Sequence, residues 1–442
     1  MNNTSLVIAR YLSRRLPFYY GWVVVFAAGT TVFARMAPSV FVLGIFVSPM
    51  ADEFGWSRTL IAGAISVGAI SSIFFSPIIG WTVDRYGARI ILTVSMLLLG
   101  VAVTSLAWAT VPIFFYLGMT TGRIIFHVPV QIGSGTVVSR WFIRKRGRAI
   151  GLLYLAGAIG GIACIQIASL AITNLSLAAA WIALGITVFA VSVLPTALLI
   201  VDRPEDIGLS PDGLEPGPNP STAVDVRQPA VPDEVDWTLR DAVRTRSLWI
   251  MIVVVGMLFM IQAGVSVHVG AFYQDRGLGI TVVASAITIN GIVSAVGSLV
   301  WGAVIERTPV RWAMVFLMVL STVSTLMLFT VHSLFAAFAV SAVIGVVAAG
   351  GNVIPPVAYA SYFGRRSIGS IRGIGETGVQ VGQTIGPVLS GLSFDLGGSY
   401  RVAFWTFAIL ALVGAVLVSL ASKPDATKLR RSAVGVRSKF RS

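Results

Sequence analysis

The sequence predicts an all-α integral membrane protein with twelve transmembrane helices, arranged as two six-helix bundles related by a parallel pseudo-two-fold axis. Three observations predict this class. Hydrophobic residues make up 56% of the 442 positions and charged residues only 11%, whereas about a quarter of an ordinary soluble domain is charged. The apolar residues fall in long runs that suit helices crossing a bilayer. Finally, the chain contains an internal repeat.

Twelve apolar runs follow one another along the chain. They begin near Tyr20, Thr59, Ile90, Pro112, Ala149, Leu177, Leu248, Val282, Trp312, Leu334, Gly369 and Val402. Arginines precede the first run, as in a secretory signal, but that run extends to about Val47 without a small-residue cleavage pattern. We therefore interpret it as a retained helix. The single cysteine, Cys164, excludes an intrachain disulfide.

The basic residues predict the topology. All but five of the 32 Lys and Arg residues fall in segments on one side of the predicted membrane. Arg58, Arg276 and Arg401 fall on the other side, and Arg35 and Arg123 lie inside apolar runs. The positive-inside rule then places both termini in the cytoplasm of a multi-pass protein, and the short loops suit a bacterial inner membrane. This segregation favours a lipid bilayer, and not nucleic acid, as the partner of the +14 net charge.

A polar linker divides the helices six and six. Residues 202–236 hold seven prolines and nine acidic residues among 35 positions, a composition typical of disorder. After Asp236 the sequence predicts a short interfacial helix. The predicted units are an N-terminal bundle at 1–201, a linker at 202–247, a C-terminal bundle at 248–422 and a basic cytoplasmic tail at 423–442.

The two halves share sequence markers. Gly80-Trp-Thr-Val-Asp84-Arg85 returns as Gly302-Ala-Val-Ile-Glu306-Arg307 after 222 residues. The segment Arg-Trp-Phe-Ile-Arg-Lys at 140–145 has an echo in Ser-Tyr-Phe-Gly-Arg-Arg at 361–366, after 221 residues. Six helices in each half give both halves the same orientation. This is the parallel repeat of a transporter whose halves rock about a central site.

The segment Gly80-Trp-Thr-Val-Asp84-Arg85-Tyr-Gly87-Ala-Arg89 resembles the loop signature of the major facilitator superfamily. Its place between the second and third helices and its second copy at 302–311 fit that family. The resemblance implies two six-helix bundles that alternate access, with no cofactor and no bound metal. It also implies that this loop helps to hold the outward-open state. The gating-loop residues carried over are Gly80, Asp84, Arg85, Gly87, Arg89, Gly302, Glu306 and Arg307.

Three further segments resemble the monocarboxylate transporter-like and oxalate/formate antiporter-like branch of that superfamily. They are Tyr20-Gly-Trp-Val-Val24, Glu53-Phe-Gly-Trp-Ser-Arg58 and Arg203-Pro-Glu-Asp-Ile-Gly-Leu209. The resemblance implies a small organic anion, typically a carboxylate, moved by proton symport or by exchange for a counter-anion. The sequence departs from the branch in one respect. The branch often places a basic residue in helix eight or eleven, whereas the prediction has none in helix eight and Glu376 in helix eleven.

Ionisable residues inside the apolar runs point to a pathway, because a charge at bilayer depth is costly unless it faces protein or water. Arg123, His127 and Gln131 are spaced to lie on one face of the fourth helix, and Thr31, Arg35 and Ser39 repeat that spacing in the first. A planar guanidinium suits a carboxylate. The substrate-binding candidates are Arg35, Arg123, His127, Gln131, Asn352 and Tyr359. Alternatively, the arginines tie helices together through backbone carbonyls or Glu376.

Glu376 is the predicted proton carrier, because it is the carboxylate placed well inside a run. The alternative is an interhelical hydrogen bond. His268 is a second proton-coupling candidate, although its predicted place near the outer end of the seventh helix favours an interfacial aromatic. Further polar residues expected in the cavity are Gln380, Gln383 and Asn290.

Competing functions remain open at this point. A drug or metabolite exporter of the same fold would favour an apolar, cation-friendly cavity with several acids, and the two arginines count against it. A non-transporting membrane sensor or scaffold would usually carry a further soluble domain. An enzyme is not expected, because no metal motif, Ser-His pair or carboxylate pair occurs within the runs.

Overall fold

The computed structural model describes residues 4–213 and 237–424 and consists of helices joined by short loops. Within these residues, ten helices are long and apolar enough to cross a membrane. Two further spans complete the twelve. The first is built from two shorter helices, and the eleventh, Ile368–Gly397, is rich in glycine and polar residues. The helices begin within three residues of their predicted positions.

The N-terminal half contains the first six spans. They are helix 1 (Gly21–Ala34 and Val40–Phe54), helix 2 (Arg58–Tyr86), helix 3 (Ala88–Ser105), helix 4 (Pro112–His127 and Pro129–Trp141), helix 5 (Arg146–Asn174) and helix 6 (Leu177–Val188, continued by a π-helical turn to Val193 and by Leu194–Leu199).

The C-terminal half contains the other six spans. They are helix 7 (Arg246–Asp275), helix 8 (Ile280–Arg307), helix 9 (Val310–Met327), helix 10 (Leu334–Phe363), helix 11 (Ile368–Gly397) and helix 12 (Arg401–Leu420). Helix 10 continues as one helix through Pro355 and Pro356.

Helices 1 and 4 are broken near their middles, which the periodicity did not predict. Helix 1 stops at Ala34 and resumes after Ser39, whose hydroxyl accepts a hydrogen bond from the Val42 amide as an N-cap. Helix 4 breaks at Val128, directly before Pro129. Proline lacks an amide hydrogen and disfavours helical geometry in the preceding residue. The predicted polar stripe of helix 1 is therefore wrong: Ser39 starts a new helix, and the Thr31 hydroxyl bonds to its own helix at Ala28.

The first and the last described residues, Thr4 and Pro424, lie on the same side of the bundle, which we call the terminal side. The Ser247 hydroxyl there donates to the Ser422 carbonyl over 2.6 Å, and the Trp237 amide donates to the Phe363 carbonyl over 3.0 Å. An additional helix, Thr4–Arg15, packs beside the end of helix 6. The predicted linker helix spans Leu239–Ala242. Residues 214–236 of the predicted linker and 425–442 of the predicted tail lie outside the described residues.

The halves meet mainly through two helix pairs, 2 with 11 and 5 with 8. Glycines bring their backbones together near the terminal side. A Cβ at Gly80 would lie 2.5 Å from the Gly369 carbonyl oxygen, and one at Gly147 would overlap the Gly302 carbonyl. Helices 1 and 7 make their main contacts within their own halves. The structure is thus closed on the terminal side.

Candidate functional site

The breaks in helices 1 and 4 meet at Arg35. Its guanidinium is 6% exposed and donates from Nη1 to the Phe126 carbonyl over 3.1 Å and to the Gln131 Oε1 atom over 2.6 Å. Arg35 thereby supplies donors to the backbone just before the helix 4 break. Its Nε atom has no partner. Arg35 therefore joins the two broken helices and still has one N–H donor, at Nε, without an acceptor.

Arg123 lies beside Arg35, and both guanidiniums lie over the ring of Phe126. The guanidinium carbons of Arg35 and Arg123 lie 4.7 Å and 5.0 Å from the centre of the Phe126 ring. The Arg123 Nη2 atom is 2.7 Å from the His127 Nε2 atom. Because a guanidinium only donates, His127 accepts here and is the neutral tautomer with its proton on Nδ1. The Arg123 Nε atom has no partner.

A third buried arginine, Arg372, was missed from the sequence. It is 4% exposed in the first turns of helix 11 and donates from Nη1 to the Ile132 carbonyl over 3.0 Å and from Nη2 to the Gln131 carbonyl over 2.7 Å. Its closeness to Arg365 and Arg366 favours a place with them in a basic loop. Helix 11 therefore does carry a basic residue, and the expectation that this chain lacks the basic residue of the branch is wrong in that respect. The available signal was its position one helical turn before Glu376.

Glu376 is 8% exposed and accepts a hydrogen bond at Oε1 from the Gln380 Nε2 atom over 2.9 Å. Both residues belong to helix 11. This hydrogen bond is therefore not the interhelical one that the sequence offered as an alternative role for Glu376. Arg35, Arg372 and Glu376 lie within electrostatic range of one another. Gln131 connects Arg35 with Arg372, since its side chain accepts from Arg35 and its backbone carbonyl accepts from Arg372.

A small central cavity of about 20 Å³ adjoins this cluster. Its walls come from helices 4, 7, 10 and 11. The lining residues are Gln131, Val255, Phe259, Gly351, Pro355, Pro356, Tyr359, Arg372, Gly375, Glu376 and Val379. The Tyr359 hydroxyl has no hydrogen-bond partner, and Gly375 leaves room for its ring, because a Cβ there would lie 2.7 Å from the phenol carbon.

The remaining cavity candidates lie outside this lining. Asn352 is half-buried on helix 10, beside the lining residue Gly351. Gln383 is half-buried on helix 11, about two turns beyond Glu376. Asn290 is half-buried on helix 8, where its backbone carbonyl would meet a Cβ at Gly345. The structure does not bring these three amides to the arginine cluster.

His268 lies within the C-terminal half, away from the cluster. Its Nε2 atom is 3.1 Å from the Pro387 carbonyl and its Nδ1 atom is 3.3 Å from the Tyr400 hydroxyl. A carbonyl only accepts, so Nε2 carries a proton and donates to it. The geometry is that of a tether between helices 7, 11 and 12.

Asp84 joins the halves at the terminal side. Its carboxylate accepts hydrogen bonds from the amides of Gly369 and Ser370 over 3.0 Å and 2.6 Å and from the Ser370 hydroxyl over 2.7 Å. These groups form the first turn of helix 11, where the helix dipole favours a negative charge. Asp84 also pairs with buried Arg140 over 2.9 Å.

The second copy of the motif makes a related contact. Glu306 accepts from the Arg148 amide in the first turn of helix 5 over 3.1 Å and pairs with the Arg148 Nε atom over 2.8 Å. Each half therefore places a carboxylate on the first turn of a helix in the other half. Gly80 and Gly302 permit the accompanying backbone approach.

The other motif residues make contacts within their own half or lie exposed at the surface. Gly87 has φ +89°, which favours glycine, and the Arg89 amide beside it donates to Asp202 over 3.2 Å. The Arg85 guanidinium lies over the rings of Trp81 and Tyr86, on the surface. Arg307 ends helix 8 and is exposed.

Comparisons with known proteins agree with this architecture. The family model of the Major Facilitator Superfamily matches residues 21–291 and 269–442. The chain is 24% identical to multidrug resistance protein 2 of Bacillus subtilis, over 90% of this chain and 98% of that protein. It is 25% identical to probable anion transporter 3, chloroplastic, of Arabidopsis thaliana, but over only 32% of this chain and 28% of that protein.

Two solved structures share the fold. The human organic anion transporter MFSD10 (TETRAN) superposes with a TM-score of 0.68 at 15% identity, covering 90% of this chain and 98% of that one. The proton:xylose symporter XylE superposes with a TM-score of 0.65 at 13% identity, covering 91% and 96%. Together with the family match across both halves, these findings show that the chain belongs to the major facilitator superfamily and is a multi-pass membrane transporter.

Proposed function

We propose that this transporter is a secondary active carrier of a small organic anion, a carboxylate, which it moves across the cell membrane by proton symport or anion exchange. In this proposal the terminal side is cytoplasmic, as the distribution of basic residues favours. The observation that carries the proposal is a cluster of buried charges at the centre of the bundle. Arg35 and Arg123 lie over the same phenyl ring, and Arg35 and Arg372 lie within electrostatic range of Glu376.

The charge balance supports an anion. With Glu376 ionised and His127 neutral, Arg35, Arg123 and Arg372 leave an excess of two positive charges at bilayer depth. Such a charge is costly unless a counter-charge or water meets it. The unpartnered Nε atoms of Arg35 and Arg123 provide donors for a carboxylate, and charge-assisted hydrogen bonds of this kind are stronger than neutral ones.

Glu376 supports coupling to protons. It lies in the same cluster and lines the cavity with the unpartnered Tyr359 hydroxyl. Protonation of Glu376 would raise the positive excess and strengthen anion binding, so proton and anion would bind together. His268 is a weaker candidate, since both its nitrogens already have partners outside the cluster.

The test is uptake into liposomes that contain the purified protein. We expect labelled small carboxylates such as lactate and oxalate to accumulate faster with an inwardly directed proton gradient than without it. In Glu376→Gln, which keeps a hydrogen-bonding group beside Gln380, we expect the stimulation by the gradient to disappear while exchange of internal for external carboxylate continues. Stimulation that survives in Glu376→Gln would exclude this residue as the proton carrier.

The multidrug resistance relative provides a reason to include a second substrate class, because it aligns with 90% of this chain. The same liposomes therefore receive lipophilic cations and neutral amphiphiles. Transport of these compounds with no transport of any carboxylate would replace the anion proposal with that of an exporter.

A further inference from the structure

We infer that two hydrogen bonds from Arg372, which we call the latch, hold the two halves together beside the central cavity. An anion that enters the cavity breaks these hydrogen bonds. The inference concerns the conformational equilibrium, and its anion step rests on the proposed function. It is distinct from the Asp84 and Glu306 contacts, which lie at the helix ends.

The latch crosses from one half to the other. Arg372 belongs to helix 11, and both of its acceptors, the carbonyls of Gln131 and Ile132, belong to the second segment of helix 4. Both donors are on a guanidinium that is almost fully buried. When the halves separate on the terminal side, helices 4 and 11 must part, so these two hydrogen bonds must break.

Gly135 leaves the space that the Arg372 guanidinium occupies. It lies one turn after Gln131, and a Cβ built on it would overlap the Arg372 Nη1 atom and lie 2.8 Å from the guanidinium carbon. A side chain of any size at this position would push the guanidinium off its two carbonyls. The obstructing atoms are the end of a flexible side chain, so the backbone can stay in place.

The cavity adjoins the same guanidinium. Arg372 lines it together with Gln131 and Glu376. A carboxylate is a stronger acceptor for a guanidinium than a neutral carbonyl. An anion on Arg372 therefore competes with helix 4 for the same donors and weakens the contact between the halves. This links substrate arrival to opening of the terminal side.

The test measures distances between spin labels in the full-length protein, with Cys164 replaced by alanine. Labels at Lys145 and Trp312, which are exposed on the terminal side of opposite halves, report opening. We expect Gly135→Ala and Arg372→Gln each to raise the ratio of open to closed molecules about tenfold or more, and Arg372→Lys to raise it less. Gly133→Ala is the matched control, because it makes the same change on the same helix but meets only the flexible Leu92 side chain, at 3.0 Å.

Each outcome bears on the inference. If Gly135→Ala leaves the distance distribution of the wild type unchanged, or opens the protein no more than Gly133→Ala does, the latch is refuted. Added lactate or oxalate should shift the wild type towards the open state and have little further effect on Gly135→Ala. If Gly135→Ala opens the protein but neither carboxylate shifts the wild type, the latch stands and its release by these anions fails.

Discussion

Replacing Arg123 with alanine is expected to reduce carboxylate uptake in liposomes by about 100-fold or more. The guanidinium has one side-chain partner, His127, and an unpartnered Nε atom. Each hydrogen bond to a charged group contributes about 1.5–3 kcal/mol. The loss of two such bonds between Arg123 and the carboxylate accounts for this reduction. Arg123→Lys keeps the charge but loses the planar fork, so we expect it to recover only part of the rate.

The matched control is Arg276→Ala. Arg276 lies on the side opposite the termini and bonds to the Val331 carbonyl and the His332 ring, so it shares the residue type but not the cluster. Uptake at the wild-type rate by Arg123→Ala would show that this arginine does not bind the anion and acts only in packing against Phe126.

Replacing Asp84 with alanine is expected to slow turnover about tenfold or more while changing the apparent affinity little. The change removes the bonds to the first turn of helix 11 and leaves Arg140, only 2% exposed, without its ionic partner. Breaking such a buried pair costs about 3–5 kcal/mol. The penalty applies to the state closed on the terminal side and not to the cavity, so initial rates at saturating substrate should show it.

Asp84→Asn is the control for this prediction. An asparagine keeps one acceptor oxygen for the Gly369 or Ser370 amide but loses the charge, so its turnover should lie between those of the wild type and Asp84→Ala. A large fall in apparent affinity with unchanged turnover would contradict a gating role for Asp84.

The sequence was sufficient for the number of helices and their repeat, because length and hydropathy determine which segments can cross a bilayer. It did not predict that helices 1 and 4 break, although Pro38 and Pro129 were visible inside the runs. A proline in an apolar run is compatible with either a kinked or a broken helix. Tertiary partners, here Arg35 and the Phe126 carbonyl, determine which form is stable.

The central cluster was predicted only in part. Arg35, Arg123 and Glu376 stood out because each is a charge within an apolar run. Arg372 did not, because it follows Arg365 and Arg366 closely enough to look like part of a basic loop. Its burial depends on a contact with helix 4, more than 200 residues away, and on the space left by Gly135. Sequence spacing alone contains neither fact.

We expect the buried arginines to select a negative charge. The most direct measurement is equilibrium binding to the purified wild-type protein of lactate and of lactamide, which has nearly the same shape but no charge. Lactate should bind at least about 100-fold more tightly than lactamide, and this preference should be lost in Arg123→Ala. Equal binding of the acid and the amide by the wild type would contradict this expectation.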